Sequence, residues 1–171
     1  MVQMKKTTGT ARTGGDNGFE GRRILIIEAP YYENVSKELA AGAIAEIEAQ
    51  GASYERIVVP GALEIPQALV AAVAAGRFDE GMADYDGVVA LGCVIRGETS
   101  HYDIVVNNAN HWLMDVAIGQ AIPVGNAILT VDTEAQAMAR AQGGRDGKGG
   151  DAARACFALI EAARRFQGEQ Q

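Results

Sequence analysis

Short apolar runs alternate with amphipathic stretches along the chain. The first run, residues 22–29, is continuous (Arg-Arg-Ile-Leu-Ile-Ile-Glu-Ala) and predicts a strand buried on both faces. Residues 33–50 carry Val35, Leu39, Ala43 and Ile47 at helical spacing, and Gly51 closes the segment. A second strand is predicted over 53–59, ending at Pro60-Gly61. A helix rich in Ala, Val and Leu is predicted over 64–76, with Pro66 tolerated in its first turn. The polar connection 77–86 leads to a strand at 87–92, and a helix from about 99 to 120 follows. Pro123 and Val124 open a fourth strand, 124–131. Residues 133–142 are helical up to Gly143-Gly144, and 150–167 form the last helix.

Strand and helix therefore alternate four times, with one extra helix. That pattern implies an α/β fold: a four-stranded parallel sheet flanked by helices on both faces. Ligands of such sheets sit at the carboxyl ends of the strands. Four segments form that rim: 29–32, 60–64, 92–101 and 130–133. Residues 1–21, rich in Gly, Thr and polar groups, read as a flexible N-terminal arm, and 22–167 as a single domain.

A net charge of -7 with no basic stripe argues against nucleic-acid binding. The basic residues 140–148 are spread over a glycine-rich loop. No apolar run reaches membrane length, and no apolar region follows Lys5 and Lys6, so neither a span nor a secretory signal is expected. Two cysteines, Cys93 and Cys156, cannot build a disulfide framework, which fits a cytoplasmic protein. Abundant Ala and Gly suit tight packing of helices and of subunits.

The chemistry concentrates at Gly92-Cys93-Val94-Ile95-Arg96-Gly97-Glu98-Thr99-Ser100-His101-Tyr102-Asp103. A buried strand, a glycine-punctuated turn and a helix start form an anion site, because the turn exposes N–H groups and the helix end carries partial positive charge. The alternative is that Thr99 or Ser100 merely caps the helix. His101, in the first helical turn, can move protons near neutral pH. Ser100, His101 and Asp103 are too close on one helix to form a relay. His111 lies about 15 Å further along the helix, so the two histidines share no metal. At the second rim turn, Gly61 permits close backbone approach, and Glu64 either stabilises a helix start or meets a heterocycle's amide edge. Tyr31 and Tyr32 either stack on a flat ring or pack on the following helix. The 143–150 segment fails as a phosphate loop, with Gln142 and Gly149 at defining positions, though Arg140 and Lys148 can still clamp a phosphate oxygen. No G-x-G-x-x-G follows the first strand, and a Ser/Thr-rich flavin-phosphate loop is also missing there.

Three pieces together resemble the lumazine synthase family: Val59-Pro60-Gly61-Ala62-Leu63-Glu64-Ile65-Pro66, the Leu91–Asp103 stretch, and Ile122-Pro123-Val124-Gly125-Asn126 continuing to Leu129-Thr130. Arg140 and Lys148-Gly149-Gly150 complete the resemblance, which covers about residues 22–166. It implies a flavodoxin-like three-layer sandwich. It also implies a transferase of riboflavin biosynthesis, joining 5-amino-6-(D-ribitylamino)uracil to 3,4-dihydroxy-2-butanone 4-phosphate with neither cofactor nor metal. A non-catalytic flavin- or lumazine-binding member of the same fold is the alternative. By position, Tyr31 is expected to stack on the pyrimidine, and Ala62, Leu63 and Glu64 to hold the ribityl chain and ring. Cys93, Val94 and Ile95 are expected to offer backbone groups to the uracil, and Glu98 and Thr99 to hold the phosphate. His101 is expected to transfer protons. Asn126 and Arg140 are expected from a neighbouring subunit, Arg140 on the phosphate with Lys148 close by. The implied assembly is a homopentamer, in some members closing into a sixty-subunit shell, with Val105, Ala109, Trp112, Val116 and Gly119 packed around the five-fold axis. Four positions depart from the family's usual residues. Tyr31-Tyr32 stands for Phe or Trp followed by Asn, Asn126 for Phe, and Glu98 for a small residue.

Overall fold

The computed structural model describes residues 18–79 and 81–168. Its elements run β1 (Arg23–Glu28), α1 (Glu33–Ala49), β2 (Ser53–Val58), α2 (Glu64–Ala74), β3 (Gly87–Ile95), α3 (His101–Gly119), β4 (Val124–Val131), α4 (Glu134–Ala141) and α5 (Lys148–Phe166), with a 3-10 turn at Gly144–Asp146. The four strands form one parallel sheet in the order β2-β1-β3-β4. The arrangement is flavodoxin-like.

Topology dictates which helix covers which face. The chain steps from β1 outward to β2, then reverses across β1 to β3 and β4. Right-handed crossovers put α1 on one face and, after the reversal, α2 and α3 on the other. The core divides accordingly. Ile24, Ile26, Val89 and Leu91 pack with Val35, Leu39, Ala43 and Ile47 of α1 and with Ala153, Cys156 and Phe157 of α5. Leu25, Ile27, Val88 and Ala90 pack with Ile65 and Leu69 of α2 and Ala109, Leu113 and Ala117 of α3. Strands β1 and β3 are buried on both faces, which is why they read as continuous apolar runs.

Element boundaries shift by up to three residues from the sequence pattern, and two of the shifts bear on packing. β3 continues past Gly92 to Ile95, because β4 pairs with it as far as Ile95↔Val131. Gly92 serves packing within the strand: Ile65 Cδ1 lies 3.3 Å from where a Cβ would stand. α5 begins at Lys148, ahead of two glycines that read as breakers. A Cβ on Gly149 would collide with the Leu39 carbonyl of α1, and one on Gly150 with the Arg145 carbonyl. The glycines are thus where helix backbones touch. Most of the expected arm, 1–17, lies outside the described residues; within its last part, Phe19 is buried and packs on Phe157 with ring centroids 4.5 Å apart.

One carboxylate is buried among these helices. Glu46 on α1, its side chain 1% exposed, accepts Nε of Arg145 at 2.8 Å and Nη1 of Arg154 at 3.0 Å. Gln50 donates to its other oxygen at 2.8 Å. Burial alone would raise this carboxyl; the hydrogen bonds from Arg145 and Gln50 and the charges of both arginines outweigh it and hold the pKa below its ordinary value.

A carboxyl depressed in the folded state stabilises the fold above its unfolded pKa, and that contribution is lost as pH falls through the folded value. Glu46→Gln is expected to cost about 2 kcal/mol at neutral pH, less than a fully buried pair because the arginines are half-exposed, lowering Tm by roughly 5 °C. The gap from wild type should close as pH falls below about 4. Thermal melts from neutral to acid pH check this, and a gap independent of pH would contradict it.

Candidate active site

The order of strands reverses between β1 and β3, and the chain opens there. β1 leaves the sheet after Glu28, and the last bond of its ladder with β3 is Ala29 N–H to the Leu91 carbonyl at 2.9 Å. β3 runs on with β4 alone. Alternate residues of a parallel strand face alternate neighbours. The Arg96 N–H reaches the Val131 carbonyl at 2.9 Å, so even-numbered residues of β3 serve β4. Leu91, Cys93 and Ile95 face the side that β1 has vacated. The peptide groups of Cys93 and Ile95 therefore border the gap, an edge able to read an amide-bearing ring. Val94 spends its backbone on β4, opposite Thr130, and contributes a side chain.

A cavity of about 400 Å³ fills this gap. Tyr31 and Tyr32 come from the end of β1; Gly61, Ala62, Leu63 and Glu64 from the turn into α2; Cys93, Val94 and Ile95 from β3; Gly97, Thr99, His101, Tyr102 and Val105 from the loop and first turns of α3. Three of the four expected rim segments meet there. The fourth, 130–133, does not line the cavity, since β4 lies one strand further out. It connects through Arg96, whose Nε is 3.3 Å from Asp132 Oδ1 and whose guanidinium lies 4.0 Å from the Tyr102 ring centroid.

Each side chain is aimed by local structure. Tyr31 is 72% exposed, and Tyr32 meets it edge-on, with centroids 5.1 Å apart. Tyr32 packs partly against the core. Burial raises the Tyr32 phenol, with neighbouring Cys93 and Tyr31 adding to the effect and a backbone hydrogen bond at Ile95 offsetting part of it. Glu64 opens α2, and its carboxylate folds back over Gly61. The Cys93 thiol is pushed up to about 11 by burial and by Glu134, so it stays protonated at neutral pH and is no nucleophile. His101 is the first residue of α3 and is exposed at the cavity mouth. Ser100, at the N-cap, makes no side-chain cap bond; the Thr99 hydroxyl receives the His101 N–H at a long 3.4 Å. A helix start so lightly capped keeps its amides for an anion.

Four expected residues lie outside the cavity. Glu98 is exposed in the preceding loop. Asn126 sits on the outer edge of β4, donating to Asn110 Oδ1 at 2.8 Å and accepting the Ile128 N–H at 2.8 Å. Arg140 donates to the Gln136 carbonyl of its own helix at 3.0 Å. Lys148 pairs with Asp151 at 2.7 Å. Among the described residues, no Lys or Arg lines the cavity itself. Tyr102 lines it without having been given a role, and Val105, expected around a five-fold axis, lines it as well; their place in the first turns of α3 beside His101 was the available signal. Ala109, expected on an outward face of α3, is fully buried in the chain's own core with Leu113 and Ala117. The exposed apolar residues of α3 are Ile104, Trp112 and Ile118. Among the described residues, no His/Cys/Asp/Glu group is arranged to hold a metal, and no helix is long and apolar enough to cross a membrane.

Residues 21–164 match the family model described as 6,7-dimethyl-8-ribityllumazine synthase. A protein of that name from Azorhizobium caulinodans is 52% identical over 145 residues, covering 85% of this chain and 88% of the relative. Another from Methylobacterium radiotolerans is 50% identical over 153 residues, covering 90% and 89%. One from Rhizobium meliloti, named 6,7-dimethyl-8-ribityllumazine synthase 1, is 48% identical over 147 residues, covering 86% and 95%.

A Cβ at Gly61 would stand 2.8 Å from Glu64 Oε2, the mobile end of a side chain. Gly61→Ala is expected to leave Tm within about 2 °C of wild type while displacing that carboxylate. Calorimetric titration with the pyrimidine ligand should then show affinity about tenfold weaker, the loss of one charged hydrogen bond. Unchanged affinity would remove Glu64 from the contact set.

Proposed function

Since the chain belongs to the 6,7-dimethyl-8-ribityllumazine synthase family, we propose that the cavity between β1 and β3 is where its two substrates meet. The chain is a transferase that condenses 5-amino-6-(D-ribitylamino)uracil with 3,4-dihydroxy-2-butanone 4-phosphate. The products are 6,7-dimethyl-8-ribityllumazine, phosphate and two waters, in riboflavin biosynthesis. One observation carries the assignment of the site: an aromatic ring, a carboxylate, a strand edge that β1 has left and an imidazole converge on one cavity.

In this reading Tyr31 covers one face of the pyrimidine, and Tyr32 steadies it from the side. The peptide edges of Cys93 and Ile95 meet the uracil, with Val94 against its face. Ala62, Leu63 and Glu64 hold the ribityl chain and ring. Thr99 and the amide of Glu98 receive the phosphate at the start of α3, the Glu98 carboxylate turned away from like charge.

The chemistry needs protons moved several times. The aromatic amine attacks the ketone, and the carbinolamine loses water to an imine. Phosphate then leaves, and ring closure releases a second water. The His101 imidazole, exposed beside both substrates, serves each transfer. Holding two reactants in register supplies much of the remaining acceleration.

The phosphate still lacks a cation, and Arg140 and Lys148 with Asn126 come from a neighbouring copy. A ring assembly would provide them, since head-to-tail contacts close into rings. The exposed face of α3 and the apolar groove between α2 and α3, lined by Pro66, Val70, Trp112 and Val116, are the surfaces for such a contact. We assign the chain as a homopentamer with one catalytic domain over 22–167. Two buried, unpaired thiols suit the reducing cytoplasm.

His101→Ala is expected to lose roughly ten- to a thousand-fold in kcat, and wild-type turnover would remove the imidazole from the mechanism. Arg140→Ala should raise KM for the phosphate substrate about tenfold with little change for the pyrimidine. Co-assembly of the two variants after dissociation should regenerate intact sites at about a quarter of positions, as in a ring with shared sites. No regained activity on mixing would mean that each site is built from one chain.

A further inference from the structure

A chain of charges ties the start of α5 to the buried carboxylate of α1. Arg154, which bonds Glu46 through Nη1, also gives Nη1 to the Arg145 carbonyl at 2.7 Å and Nη2 to Asp151 Oδ1 at 2.6 Å. The second oxygen of Asp151 accepts Lys148 Nζ at 2.7 Å. From core to surface the order is Glu46, Arg154, Asp151, Lys148. Arg154 lies between two carboxylates, and Asp151 between two cations.

Arg145, Arg154 and Lys148 face Glu46 and Asp151, with Asp146 also acting on Arg145, and the outermost group is Lys148. That lysine is the first residue of α5, where the helix dipole disfavours a cation. It is half-exposed, and Asp151 engages one of its three donors. Arg154 shares the Asp151 carboxylate and so leaves less of its charge to neutralise Lys148. The backbone beneath is equally constrained, because Gly149 and Gly150 press on the carbonyls of Leu39 and Arg145. A freely moving lysine would need none of this.

We propose that Glu46 is a positioning residue for the condensation: acting through Arg154 and Asp151, it holds the Lys148 ammonium in the one orientation that meets the substrate phosphate in a neighbouring copy's cavity. The proposal rests on the reading of Lys148 as a phosphate ligand. Glu46 touches no substrate. Its effect is to spare Lys148 the rotamer entropy that a long flexible cation otherwise loses on binding.

Steady-state kinetics on the assembled protein test this with Lys148→Ala, Asp151→Asn, Glu46→Gln and the Glu46→Gln/Lys148→Ala double variant. Lys148→Ala should raise KM for 3,4-dihydroxy-2-butanone 4-phosphate about tenfold, leaving KM for the pyrimidine unchanged. Glu46→Gln and Asp151→Asn keep the lysine and should raise the same KM about threefold, with kcat little altered. The double variant should be no worse than Lys148→Ala alone, a non-additivity that loss of stability would not produce. Asp151 is surface-accessible, so Asp151→Asn combined with Lys148→Ala runs the same cycle if Glu46→Gln folds poorly. A wild-type KM in Lys148→Ala would overturn the reading of Lys148 and the proposal with it. A raised KM there, with wild-type values in Glu46→Gln and Asp151→Asn or with additive effects, would overturn the proposal alone.

Discussion

The site depends on where one hydrogen-bond ladder stops. β1 and β3 part company after Leu91, while β3 and β4 remain paired through Ile95. Between those two endpoints β3 has a partner strand on one side only, and on the other the Tyr32 hydroxyl meets the Ile95 backbone. Buried or half-buried peptide groups without partners are costly, so the vacated edge favours whatever can replace β1. A flat ring with amide-like edges is such a replacement. The same departure carries Tyr31 and Tyr32 out of the sheet and over the gap, so the stacking surface and the reading edge have a single origin.

The other face of the sheet fixes the geometry from behind. Gly42, Gly149 and Gly150 bring α1, the turn before α5 and α5 itself into backbone contact. Glu46 is sealed within that contact and takes two arginines. A buried ion pair of this kind contributes modestly to net stability, but removing one partner strands the others. Its value here lies in holding a loop whose outer end carries Lys148. The two faces of the sheet therefore divide the labour. α2 and α3 shape the cavity and the helix start at its mouth, while α1 and α5 meet around the buried Glu46.

Among the described residues, the cavity has an imidazole, a carboxylate and helix amides but no Lys or Arg in its lining. Arg140 and Lys148 are exposed elsewhere on the same chain. α3 is 19 residues long yet buries only Ala109, Leu113 and Ala117, and it leaves Trp112 and Ile118 in contact with water. In the proposed ring, a second copy alongside the first would cover that apolar surface.

Periodicity alone was enough for the parallel sheet, the helices and their order, because a strand buried on both faces and an amphipathic helix leave different apolar rhythms. Local chemistry marked Gly61, Glu64, His101 and the start of α3, since glycine turns and helix starts are properties of adjacent residues. The extension of β3 to Ile95 was hidden, because a glycine in a strand and a glycine in a turn look alike until a partner strand is seen. The burial of Ala109 was hidden too, since a helix of small and apolar residues does not declare which face is inward. The link from Glu46 to Arg145 spans 99 residues, and no pattern along the chain encodes it. Sequence determined what is governed by near neighbours. Tertiary structure alone decided which distant groups share a boundary, because burial, ladder pairing and charge compensation are set by proximity in space.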